Sequence, residues 1–112
     1  VTGPRHFAPR AVRDIEDAAD WLAESPAGTE LATRFTTAVV DAAERIAHRP
    51  LLGHRRLDIL PDPFRFHRVR GFSYLLVYNA LRPNPVILRV LHMARDLRPL
   101  LADLDISSDP LS

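Results

Sequence analysis

Apolar residues recur at helical spacing through the first fifty positions of this chain, and at Pro50 that spacing stops and does not return. Helices first and strands afterwards is the order of an α+β chain, where alternating strands and helices would point to a parallel sheet. The architecture left open is α+β, with helices packed on a face of an antiparallel sheet.

The first stripe is Val12, Ile15, Ala19 and Leu22, with Pro9 ahead of it where a first helical turn tolerates proline. It predicts a helix over residues 10–24. Asp14, Glu16 and Asp17 fall in the early turns, where carboxylates complement the positive end of the helix dipole, and with Asp20 and Glu24 they read as a solvated acidic face. Ser25, Pro26 and Gly28 break the pattern. A second stripe, Leu31, Phe35, Ala38, Val39, Ala42 and Ile46, predicts a longer helix over 29–49 that Pro50 closes. So short a break makes the two helices an antiparallel hairpin.

Pro50, Gly53, Pro61 and Pro63 then divide an arginine-rich loop with room for a short strand near Leu57–Leu60. Residues 64–69, 72–81 and 86–92 read as three strands, with turns at Arg70-Gly71 and Pro83-Asn84. Connections this short impose antiparallel pairing. One or two last helical turns fit over 97–104, and 105–112 are polar. The chain of 112 residues therefore reads as one domain over 1–104 followed by a tail over 105–112.

Composition removes whole classes of chemistry. There is no cysteine, hence no disulfide scaffold, zinc ribbon or thiol nucleophile. Four scattered glycines build neither a phosphate loop nor a dinucleotide fingerprint, and no serine sits in a nucleophile elbow. The five histidines lack the i, i+4 pairing of a helical zinc site, so neither metal nor cofactor is expected. With no charged-then-apolar leader and no apolar run near the roughly 20 residues that span a bilayer, the expectation is a cytoplasmic protein without membrane contact.

A net charge of +1 argues neither for nor against nucleic acid, but its distribution is uneven. Residues 11–49 hold eight acidic side chains against four arginines, and arginine dominates beyond Pro50. Every Lys-or-Arg position is arginine, which supplies planar, permanent forks for phosphate or carboxylate and no lysine base. Arg55, Arg56, Arg65, His67, Arg68, Arg70, Arg89, His92 and Arg95 concentrate on the strands and their approaches. A basic sheet face built from them would offer docking to phosphates or to a partner's carboxylates. Trp21 lies one step off the first stripe and is expected to pack into the core.

The order helix, helix, three strands, together with FAPRAVRDIEDAADWL from Phe7, RPLLGHRR from Arg49, YLLVY from Tyr74 and RVLHMARD from Arg89, resembles the ParE/RelE toxin superfamily of type II toxin–antitoxin modules, in its ParE branch. The resemblance spans about Arg5 to Leu104. It implies an N-terminal strand around Arg5–Ala8 ahead of the helical hairpin and the three-stranded sheet, giving the order β-α-α-β-β-β. It implies a toxin that poisons DNA gyrase and forms a hetero-oligomeric complex with a ParD-like antitoxin. That antitoxin is expected to cover apolar positions on the hairpin, Trp21, Leu22, Phe35 and Val39, while Arg55, Arg56, Arg65, Arg68, Arg70, His92 and Arg95 face the target.

RelE-type members instead cleave mRNA on the ribosome without a metal. Tyr74 and Leu75 stand where such nucleases usually carry an arginine, which leaves Arg65, Arg68, His92 and Arg95 as the residues of an alternative, divergent nuclease. The preferred expectation is a toxin that is not an enzyme.

Overall fold

A computed structural model describes residues 6–102 and residue 104. Helix α1 (Pro9–Ala23) and helix α2 (Gly28–His48) form the hairpin, and a 3-10 turn (Pro50–Leu52) leads towards the sheet. Strands β1 (Phe64–Arg68), β2 (Tyr74–Asn79) and β3 (Ile87–His92) follow, then a short helix α3 (Leu97–Leu101). The helix bounds fall within a residue of those read from proline and glycine punctuation. Gly28 is required by more than helix breaking, since a Cβ there would lie 1.9 Å from the carbonyl oxygen of Ala23. Only a residue without a side chain lets α2 start that close to the end of α1.

The sheet is antiparallel in the order β1-β2-β3, with Phe66 opposite Val77 and Leu76 opposite Val90. Gly71 and Asn84 take positive φ in the two hairpin turns. The central strand is buried on both faces, which explains its nearly unbroken apolar run. One face meets the helices through Leu76, Tyr78, Ile87 and Val90, packed with Phe35, Val39 and Ile46. The other meets Leu60, Leu97 and Leu101 through Phe64, Phe66, Val77 and Leu88.

Ile87 and Val90 are three residues apart and would face opposite ways in a regular strand. A bulge makes the difference: Val77 pairs with Arg89 but Tyr78 pairs with Ile87, so Leu88 is the extra residue. Ile87 and Val90 thereby serve the helix side while Leu88 and Leu91 serve the other.

Two expectations are corrected. The loop carries no strand at 57–60, because turns fold it back, with Leu60 N–H reaching the Arg56 carbonyl at 2.9 Å and the Leu60 side chain buried. The extra pairing occurs earlier, at His54, which exchanges two backbone hydrogen bonds with Phe66. At the other edge the expected N-terminal strand is reduced, among the described residues, to a single parallel bridge between Phe7 and Ile87; Arg5 lies outside them.

Tyr78 locks the loop to the sheet. Its fully buried hydroxyl donates to the Pro50 carbonyl at 2.6 Å and accepts the Gly53 N–H at 2.9 Å. Tyr78→Phe strands that N–H and that carbonyl, and should destabilise the fold by about 1–3 kcal/mol in urea denaturation.

Half-buried His67 sits near Arg45 and His54, and desolvation, followed by those two positive neighbours, holds its pKa below the ordinary 6.5. The unfolded chain therefore takes up a proton at His67 more readily than the folded one. This contribution is intact above pH 6.5 and shrinks as pH falls from there towards the lower native value. Thermal melts above and below that pH should show a shallower loss in His67→Gln than in the parent chain.

Candidate functional site

A groove of about 550 Å³ runs beside β3, the strand left at the sheet's edge, with α1 on one side and Leu100 of α3 on the other. Its shape depends on a residue that breaks the apolar run of β3. Arg89 is 4% exposed and donates through Nε and Nη2 to the two Asp14 oxygens at 2.8 and 3.2 Å. Its Nη1 donates to the Leu100 carbonyl at 2.7 Å, and Asp14 also accepts the Val90 N–H at 3.0 Å. One ion pair thus joins α1, β3 and α3, and a carboxylate satisfies a donor on an otherwise open strand edge. Asp14 is a clamp, which corrects its assignment to the solvated acidic face.

Trp21 lines this groove and is 67% exposed, not packed into the core as its place beside Leu22 suggested. One residue is about 100° of helix, enough to carry the indole from the buried side onto the groove side. Tyr74 and His92 meet edge to face with ring centroids 4.9 Å apart. Burial pushes the Tyr74 phenol above its ordinary pKa. His92 Nδ1 accepts the Ala94 N–H at 3.0 Å, which fixes the ring at the end of β3 and leaves Nε2 to carry the proton of the neutral form. Arg10, Asp17 and Arg95 add charge to the same lining.

The arginines do not form one basic sheet face. The face away from the helices packs against Leu60 and α3. Arg55 pairs with Asp62 at 3.1 Å and Arg56 with Asp58 at 3.1 Å, both on the exposed loop. The Arg56 hydrogen bond in turn holds the Asp58 carboxylate below its usual range. Arg65 donates to the carbonyls of Gly53 and Leu51 at 2.7 and 3.2 Å, and Arg68 to that of Phe72 at 3.1 Å. These are ties between loop and strand. Arg70 is exposed in the β1–β2 turn. Of the expected target-facing set, His92 and Arg95 share the groove.

No group of three or more metal-ligating side chains occurs among the described residues, and no helix there is long and apolar enough to cross a membrane.

Residues 6–97 match the family model described as ParE toxin of type II toxin-antitoxin system, parDE. The chain belongs to the ParE toxin family. A comparison with curated proteins returns no match. As a ParE-family chain it is the toxin of a type II toxin–antitoxin pair, and an antitoxin is its first partner. Of the four hairpin residues expected to meet that partner, Phe35 and Val39 are fully buried and Leu22 nearly so, which makes them core. Trp21 alone offers surface. Sequence reasoning counted Arg89 among the strand cations and Asp14 on the solvated face and missed that they pair, although a charged side chain inside an apolar strand is itself a signal that a buried partner exists.

Proposed function

We propose that this ParE-family toxin inhibits DNA gyrase by binding it, performs no covalent chemistry, and is neutralised by a ParD-like antitoxin that lays an apolar-and-acidic segment in the groove between α1 and β3. The observation that carries the docking site is the exposed indole of Trp21 on a groove that ends at the Tyr74–His92 pair. Large aromatics exposed along a groove are frequent anchors of such complexes. Action on gyrase puts the complex in the cytoplasm.

The nuclease alternative asks for an acid, a base and a cation converging on one phosphate. Arg65 and Arg68 are committed to backbone carbonyls, and neither lines the groove of His92 and Arg95. This dispersal favours binding over cleavage.

Two assays side by side test the reading. Purified toxin should stop gyrase from supercoiling relaxed plasmid, and added antitoxin should restore it. Untouched supercoiling with cleavage of translated mRNA would reverse the choice in favour of the nuclease.

A further inference from the structure

A second cavity of about 270 Å³ adjoins Arg95, between the 56–59 turn and the segment leading from β3 into α3. Ile59, Leu75, Met93 and Leu97 supply its apolar lining, and Arg56, Arg95 and Arg98 its cations. Arg95 is the one residue that lines both this cavity and the groove.

The three guanidinium groups differ in what they already hold. Arg56 binds both oxygens of Asp58 at 3.2 and 3.1 Å, and Arg98 donates to the Asp58 carbonyl at 3.1 Å. Arg95 is exposed and has no side-chain hydrogen bond or ion pair among the described residues. A nucleic-acid backbone needs several uncommitted cations, and here it would also meet the carboxylates of Asp58 and Asp96. One uncommitted fork beside apolar surface suits a single carboxylate carried next to an aliphatic side chain. Met93 and, beside the turn, Leu57 are both exposed, and a thioether adapts readily to such a partner.

We infer that this second cavity receives the toxin's target through an acidic, aliphatic segment of protein, and that the antitoxin silences the toxin by capturing the Arg95 guanidinium from the neighbouring groove. This rests on the groove being the antitoxin's seat. Neutralisation is then a contest for one side chain at the border of two sites.

Substitutions in the full chain separate the steps. Met93→Asp alters only the second cavity, Trp21→Ala only the groove, and Arg95→Glu both; all three side chains are exposed, and thermal melts verify that each variant folds. Each is induced in cells lacking the antitoxin, and each purified chain is titrated with antitoxin. Met93→Asp should abolish growth arrest while keeping antitoxin affinity within about twofold, and Met93→Ala should weaken arrest in the same direction. Trp21→Ala should still arrest growth but bind antitoxin at least about thirtyfold more weakly, and Arg95→Glu should lose both functions. Growth arrest by Met93→Asp at the parent level overturns the inference. So does parental antitoxin affinity in Arg95→Glu, or retention of a DNA duplex or RNA by the parent chain that Arg95→Glu abolishes. Arrest that requires Met93 while supercoiling is untouched would instead remove gyrase as the target and leave this inference standing.

Discussion

Arg89→Ala is expected to destabilise the protein by about 3–5 kcal/mol, the range for breaking one partner out of a buried ion pair. The substitution leaves the Asp14 carboxylate, 11% exposed at its side chain, facing only the Val90 N–H, and strips the Leu100 carbonyl of its donor. Asp14→Ala should cost a similar amount by stranding the guanidinium. The double variant Asp14→Leu, Arg89→Met should recover most of the loss, because two apolar groups of similar volume leave no charge uncompensated. Urea denaturation of these chains together with the Asp14→Ala, Arg89→Ala double variant, which closes the cycle, measures the coupling. Additive losses would mean that the two residues act separately and that the ion pair does not hold α1 and α3 against β3.

The second large effect distinguishes core from surface on the same hairpin. Phe35 is fully buried, with its ring centroid 5.2 Å from that of Phe72 and 4.9 Å from that of Tyr74. Phe35→Ala should cost about 3–5 kcal/mol of stability through lost burial and the cavity left behind. Trp21→Ala removes a larger side chain but leaves no cavity, so its folding stability should stay within about 0.5 kcal/mol of the parent. Its effect should appear in antitoxin affinity, as a loss of about 2 kcal/mol or more, roughly thirtyfold in Kd. Calorimetric titration beside thermal melts separates the two. A strongly destabilised Trp21→Ala would mean that the indole belongs to the core.

The hairpin was legible because proline and glycine mark both of its ends and the apolar stripes between them have one period. The sheet was legible because the turns at Gly71 and Asn84 are too short for anything but antiparallel pairing. What escaped was long-range or a matter of single residues. Arg89 meets Asp14 across 75 positions, and no local pattern encodes that distance. The bulge at Leu88 shifts the strand's faces without any glycine to announce it. Trp21 and Leu22 are adjacent, and period alone does not decide which of them turns inward when the seam is mostly alanine; Ala11 and Ala18 let α1 lie close enough to β3 for Leu22 to fill the space. The arginines were visible as a composition, but their separate commitments to carbonyls and aspartates exist only in the folded chain.

Trp21 is the chain's single tryptophan, so its fluorescence reports on the groove and on nothing else. Titrating the toxin with its antitoxin while following that emission, with complex formation verified by size, tests directly whether the partner sits between α1 and β3. The account predicts a saturable blue shift as the indole leaves water, complete at one antitoxin segment per toxin. A complex that forms in full while the emission keeps its solvent-exposed wavelength would contradict it.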